Sequence, residues 1–209
     1  MTDTDNPQVA SDGELRALYP EPSELVQRKD LKRLDRHCRN FIAHSPFVVL
    51  ATSGADGGVD ASPRGDAPGF VTVVDDRTLL IPDRRGNNRL DSMANVVATG
   101  QVGLLFLVPG IGETLRVNGR ASVVTDQAVL SAMAVNGKAP TAALKVEVEE
   151  AFLHCAKAII RSKLWQDDYR AGRAEIPTLG RMIADQLNEG KEVAETEAHI
   201  EQSYREHLY

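Results

Sequence analysis

Apolar and polar positions repeat along this chain with two different periods, and the change falls near Phe47. Before it, Leu31, Leu34, Cys38, Phe41 and Ile42 step by three and four. That spacing predicts one buried stripe on a long helix over residues 22–44. Arg28, Lys29, Lys32, Arg33, Arg36 and Arg39 fill the positions between as a solvated face, and Pro46 marks the boundary. Upstream, Ser11-Asp12 offer a cap for a short helix over residues 14–18, stopped by Pro20. Residues 1–10 are polar and without a period, and read as disordered.

From Phe47 the texture is that of strands. FVVLATS is rich in β-branched residues, GADGG is turn chemistry, and residues 59–62 form a short strand candidate. GFVTVV and TLLIP, joined at Asp75-Asp76, read as a hairpin. Helical spacing returns over residues 89–97 through Leu90, Met93, Ala94 and Val97. VGLLFLV is a continuous apolar run, which predicts a strand buried on both faces. After the PGIG turn, TLRVNGRASVV alternates Leu115 and Val117 against Arg116 and Asn118. A helix follows Asp126 as far as Met133, and ALKVEVE alternates as a strand. A helix over residues 151–161 places Phe152, Cys155, Ala156, Ile159 and Ile160 on one face, which makes Cys155 a core thiol and His154 a structural neighbour. Trp165 follows in a loop, TLGRMIADQLN starts a further helix at Pro177-Thr178, and residues 192–209 are polar with weak helical character. This order is that of a barrel or sandwich with helical additions, not of βαβ winding. It divides into a flexible segment 1–20, a main domain 21–187 and a helical tail 188–209.

Composition narrows the function. The 209 residues are 42% hydrophobic and 26% charged, enough for a core without disulfide or metal staples. Two distant cysteines, Cys38 and Cys155, form no CxxC, so reduced thiols and a cytoplasmic setting are expected. No run approaches the roughly 18 apolar residues of a membrane span, and the acidic N-terminus lacks the regions of a signal peptide. The net charge of −6 argues against nucleic acid as a partner, yet leaves room for a small local anion site. GxGxxG, Walker A, HExxH and GxSxG patterns are all missing, and His37, His44, His154, His199 and His207 are scattered, so no metal site is expected. An enzyme made from this chain would leave its chemistry to a cofactor.

Two segments carry candidate chemistry. Three of the 24 basic residues, Arg84, Arg85 and Arg89, crowd into six positions between TLLIP and LDSMANVV. Gly86 permits a tight turn, Asn87 or Asn88 can cap the helix, and the helix N-terminus presents backbone N–H groups. Arginine adds a planar fork matched to phosphate oxygens. The segment reads either as a phosphate cradle or as a charged loop with an ordinary cap. The second segment, Asp60 to Asp66, frames Arg64 with Ser62, Pro63 and Gly65. It reads either as a strand end at a ligand mouth or as a turn with a surface Asp–Arg pair.

Taken together, SPRGDAPGFV, TLLIPDRRGNNRLDSMANV, VGLLFLVPG, TLRVNGRA and the later HCAKAIIRSKLW resemble the pyridoxamine 5'-phosphate oxidase-like FMN-binding split β-barrels. The resemblance spans roughly residues 31–187 and is greatest to a bacterial FMN-dependent subfamily of unassigned substrate. It implies a mainly β fold with flanking helices, a six-stranded antiparallel Greek-key split barrel. It also implies a homodimer with FMN at the subunit interface and a small-molecule substrate, with no nucleic acid or membrane partner. Asn87, Asn88 and Arg89 occupy the place of the Ser-Arg-Lys-type turn that holds the FMN phosphate in relatives, with Asp83 and Arg84 beside them. Ile81 and Pro82 fall where relatives pass backbone beside the isoalloxazine, and Ser62, Pro63, Arg64 and Gly65 fall near its pyrimidine side. Thr114 and Arg116 lie on the strand that reaches the flavin from the other subunit; read from alternation alone, Arg116 is simply an outward strand residue. Ser162 and Trp165, after Arg161, resemble the element that closes the flavin site; read alone, Trp165 packs at a helix end where its N–H finds a partner.

The activity so implied is hydride transfer between FMN and an unidentified small molecule, with Arg64 stabilising charge on the reduced ring. No side chain stands out as an acid or base. The alternatives are a non-catalytic flavin-binding dimer, or a haem- or deazaflavin-binding barrel. The chain departs from the oxidase proper, because it lacks the Arg/His-bearing C-terminal signature that grips pyridoxal phosphate. Arg205 and His207 sit in the polar helix YREHLY instead, so oxidation of pyridoxamine phosphate is not implied.

Overall fold

A computed structural model describes residues 8–187, 193–206 and 208. The expected disorder of residues 1–10 falls mostly outside the described residues, as do His207 and the start of the expected tail at 188–192. The chain forms two compact units, Met1–Asp30 and Leu31–Tyr209.

The first unit contains α1 (Asp12–Ala17) and α2 (Glu24–Arg28) and buries no residue of either helix. Ser11 caps α1 by accepting from the Glu14 N–H, and Glu14 returns the bond by accepting from the Ala10 N–H. This is a capping box, displaced by one residue on the returning side.

The second unit opens with an extended stretch in place of the expected long helix. Leu31 and Ala151 exchange both backbone hydrogen bonds, at 3.0 and 2.7 Å. Asp35 then starts α3 (Arg36–His44) by accepting from the N–H groups of His37 and Cys38. A capping aspartate there forbids one continuous helix over residues 22–44. Burial alone pushes the Asp35 carboxyl up, but those N–H bonds outweigh it and the group ends below the usual carboxylate range. Cys38 is buried as expected, and desolvation together with Asp35 pushes its thiol up to about 11.

Among the described residues seven strands follow: β1 (Phe47–Ser53), β2 (Val59–Gly65), β3 (Thr72–Val73), β4 (Thr78–Asp83), β5 (Gln101–Leu107), β6 (Thr114–Val124) and β7 (Ala142–His154). All pair antiparallel in one sheet of order β2-β1-β5-β6-β7-β4-β3. The resemblance implies six strands; among the described residues there are seven, counting the two-residue β3 that pairs with β4 in the expected hairpin. Strands far apart in that order share one core: Val48 and Leu50 of β1 cluster with Leu79 and Ile81 of β4, Phe106 of β5 and Leu115 of β6. The sheet therefore curls around its apolar face, as a split barrel does. The bend is built at a bulge, where Asn118 faces Glu150 but Gly119 faces Val148. Gly119 is required there, since a Cβ would stand 2.0 Å from the Glu147 carbonyl oxygen.

Helices flank the sheet: α4 (Asp91–Thr99), α5 (Gln127–Ala132), α6 (Lys157–Ser162), α7 (Leu179–Leu187) and α8 (Val193–Glu206). Among the described residues no helix is long and apolar enough to cross a membrane.

Three expectations are corrected. The helix over residues 151–161 shortens to α6, because the ladder with β6 holds β7 extended to His154. Cys155 is consequently exposed just past the strand end instead of packed in the core. VGLLFLV is not buried on both faces. Val102, Leu104 and Phe106 are buried, whereas Leu105 and Leu107 are only half covered. An apolar run shows that both faces are apolar, not that both are covered.

Candidate functional site

The site is built where the sheet's edge meets the entry to α4. β2 is an edge strand, which tolerates Pro63 because no further strand needs its missing N–H. Asp60, Ser62 and Arg64 face the same way as the buried Thr52, Leu50 and Val48 with which they are in register. The inward face of this edge is thus polar, unlike the neighbouring strand, and it borders a cavity of about 1100 Å³. The opposite wall is the end of β4 and the loop into α4. Ser62, Pro63, Arg64 and Gly65 and the residues Pro82, Asp83, Arg84, Asn87, Asn88 and Arg89 all line this one space. Ile81 does not: its side chain is a core residue, 2% exposed.

Crossed ion pairs join the two walls. Arg64 Nη1 donates to Asp83 Oδ1 at 2.9 Å, and Arg84 Nε donates to Asp66 Oδ2 at 2.7 Å. The Asp66 side chain is 2% exposed, and Arg84 Nη1 also donates to the Met133 carbonyl at 2.9 Å. Arg64 keeps a donor in reserve, for its Nε is buried and has no hydrogen-bond partner. A buried donor without a partner costs free energy unless a ligand completes it.

Neither asparagine caps α4. The cap position is Leu90, left-handed at φ 62° and without a side-chain bond to the helix. The Asn87 side-chain oxygen accepts instead from the Arg89 N–H at 3.1 Å, which closes a turn too early to reach the helix. Asn88 is also left-handed, at φ 57°. Ser92, buried in the first turn of α4, donates to Asp60 Oδ2 at 2.5 Å and ties the helix start to β2. Arg89 is exposed and pairs with Asp91 at 2.7 Å, which binds its proton more tightly still.

Residues 138–141 form a wall that sequence reasoning missed, with Lys138 and Thr141 among the lining side chains. They follow a tight turn at Asn136 (φ 51°) and Gly137 (φ 75°), closed by paired bonds between Val135 and Lys138 at 3.0 and 2.9 Å. The Asn-Gly dipeptide signals that turn but not what it faces. Asp66 belongs to the segment that reads as a ligand-mouth strand end or as a turn with a surface Asp–Arg pair, but nothing in the sequence points to its buried pairing with Arg84.

Four candidates lie elsewhere. Thr114 and Arg116 are on the outward face of β6, where Arg116 bonds Glu150 and stands 4.0 Å over the Phe152 ring. That ring lies 4.7 Å from the His154 ring. Ser162 donates to the Ile159 carbonyl at 3.2 Å. Trp165 donates its indole N–H to the Ile111 carbonyl at 2.8 Å and is 37% exposed. None of the four lines the cavity of its own chain.

The sequence model described as Pyridoxamine 5'-phosphate oxidase matches residues 34–155 of the chain. No curated protein matches. Among solved structures, HupZ of Group A Streptococcus is similar at 19% identity and a TM-score of 0.48, covering 57% of this chain and 92% of its own. A putative pyridoxamine 5'-phosphate oxidase from Lactobacillus delbrueckii is similar at 24% identity and a TM-score of 0.45, covering 58% of this chain and 95% of its own. An FMN-binding protein from Syntrophomonas wolfei is similar at 15% identity and a TM-score of 0.44, covering 55% and 82%.

Proposed function

Because the chain belongs to the pyridoxamine 5'-phosphate oxidase family, we propose that it is an FMN-dependent oxidoreductase that acts on a small molecule as a homodimer. The observation that carries this reading is one cavity lined together by Arg64, Arg84, Arg85 and Arg89. Among the lining residues five cations, with Lys138 the fifth, stand against the three carboxylates Asp60, Asp83 and Asp91. That balance suits a phosphomonoester.

Each role follows from position. Asn88 and Arg89 stand at the rim beside an α4 N-terminus that its cap residue leaves without a side-chain acceptor, and there they hold the phosphate. Arg64 is oriented by Asp83 and presents its guanidinium to the pyrimidine side of the ring, where its charge favours the reduced form. When bound, the FMN ring supplies the hydride chemistry. Thr114, Arg116, Ser162 and Trp165 serve the site of the other subunit. The dimer reading draws support from the outward side of β1 and β5, where Phe47, Val49, Leu105 and Leu107 form an apolar face that one chain leaves half covered.

Titration of the purified protein with FMN, followed by flavin fluorescence and by the visible spectrum, tests the cofactor. Saturable quenching and a yellow complex are expected. A protein that takes up no FMN, or that gives a Soret band with haem instead, overturns the reading. Light scattering at twice the chain mass is expected, and a monomer overturns the shared site.

A further inference from the structure

We infer that Arg84 is not a cofactor ligand but a positioning residue, which holds the Lys138-bearing wall of the cavity against the sheet edge. Its guanidinium joins three segments that are far apart in sequence. Nε reaches Asp66 in the turn after β2, Nη1 reaches the Met133 carbonyl at the end of α5, and its own backbone follows β4 directly. The planar fork delivers both bonds at fixed angles to one another. The acceptor at Met133 is the C-cap of α5, where a cation also meets the negative end of the helix. The tie is buried: the Arg84 side chain is 16% exposed and that of Asp66 2%. Little solvent competes for either bond, and Asp66 holds the guanidinium in place.

Five residues beyond Met133 comes Lys138, and residues 138–141 form the third wall. The turn before them is closed by the Val135–Lys138 pair, and Met133 leads into it from the end of α5. Arg84 anchors that segment at Met133. The tie therefore sets how far residues 138–141 stand from Arg64 and from the loop over residues 84–89. Arg64 contrasts with it, since one Arg64 donor is left for a ligand while Arg84 spends Nε and Nη1 inside the fold.

The test compares Arg84→Ala, Arg84→Lys and Asp66→Ala with the unsubstituted chain, all free of flavin. Amide hydrogen exchange is read at Met133, Ala134, Val135 and Lys138, whose N–H groups are bonded in this structure. All three variants should speed exchange there by roughly tenfold, while strand amides of β5 stay protected. Lysine should fail like alanine, because a single ammonium cannot span both acceptors in that geometry. Unchanged exchange in the two Arg84 variants overturns the tie. Asp66→Ala keeps the test open if Arg84→Ala does not fold.

A second arm uses FMN titration and rests on the proposed cofactor site. Here a positioning role predicts weaker binding in all three variants, by similar factors. A direct phosphate ligand predicts the opposite pattern: Arg84→Lys would retain most affinity, and Asp66→Ala would bind as well as before or better by releasing the guanidinium. That pattern overturns the inference. If the unsubstituted chain binds no FMN, the cofactor reading fails, and the exchange arm still decides the tie.

Discussion

Arg64 and Arg116 meet the same local chemistry on opposite sides of the sheet. Each bonds a carboxylate from another strand, Asp83 for Arg64 and Glu150 for Arg116, and each has a buried Nε without a partner. Arg64 sits on the inward face of an edge strand and lines a cavity of about 1100 Å³. Arg116 sits on the outward face of a central strand, with the Phe152 ring 4.0 Å from its guanidinium. Its surroundings are half-covered apolar residues, including Leu105 directly in register. An arginine with a spare donor in a cavity is ready for a ligand within its own chain. One with a spare donor on an apolar sheet face needs a second surface. The pair thus divides the proposed site into a half that one chain completes and a half that it does not.

Arg64→Ala should have the largest effect on that first half. It removes the spare donor and leaves Asp83, 21% exposed, without its cation. The FMN dissociation constant should rise by roughly a hundredfold. Arg64→Lys keeps a charge near Asp83 but loses the second donor, and should fall between. Flavin fluorescence titration reads both, and an Arg64→Ala variant that binds as the unsubstituted chain does would show that the cavity donor faces no ligand.

Arg64 was legible as a candidate, but the reason for its role was not. Local patterns mark the main strands, through β-branched content for β1, a continuous apolar run for β5 and period two for β6 and the start of β7, and Ser11 and Asp126 mark the helices they cap. What failed were features set by distant pairing. Leu31 reads as the start of a helical stripe until Ala151 is beside it, and Phe152 reads as helical until β6 holds it in a ladder. The Arg84 cluster was visible as charge density, but its Asp66 and Met133 partners belong to segments that sequence does not place next to it. Residues 138–141 carry no motif at all. Thr114, Arg116, Ser162 and Trp165 were named through resemblance alone, and within one chain they neither line the cavity nor touch it.

The second half can be tested by mixing. If Arg64 and Arg116 serve one site from two subunits, Arg116→Ala should weaken FMN binding by roughly tenfold or more, less than Arg64→Ala. Combining Arg64→Ala chains with Arg116→Ala chains, unfolded and refolded together, then makes heterodimers in which one site carries both substitutions and the other carries neither. Random pairing restores tight binding at about a quarter of all sites, as the twofold symmetry of a dimer requires. The measurement is the number of high-affinity sites at an FMN concentration that neither variant alone can fill. No recovery on mixing would place the two arginines in separate roles.

Arg89→Ala should have the smallest effect and a different character. Its side chain is 73% exposed and already engaged with the exposed Asp91, so an exchange of partners on binding gains less than a buried donor does. A loss of about tenfold or less in FMN affinity is expected. Ionic strength separates it from the other two. An exposed guanidinium is screened within a Debye length of about 8 Å at physiological salt and about 3 Å at 1 M, whereas the partly buried Arg64 is screened much less. Raising salt should therefore close the gap between Arg89→Ala and the unsubstituted chain while leaving the Arg64→Ala gap largely intact. Removing Asp91 adds an opposite sign: Asp91→Asn frees Arg89 and takes a negative charge from the phosphate's neighbourhood, so FMN should bind somewhat more tightly at low salt. Weaker binding in Asp91→Asn would mean that Asp91 positions Arg89 for the phosphate, and the exposed rim would then work by the same orientation that Asp83 gives Arg64.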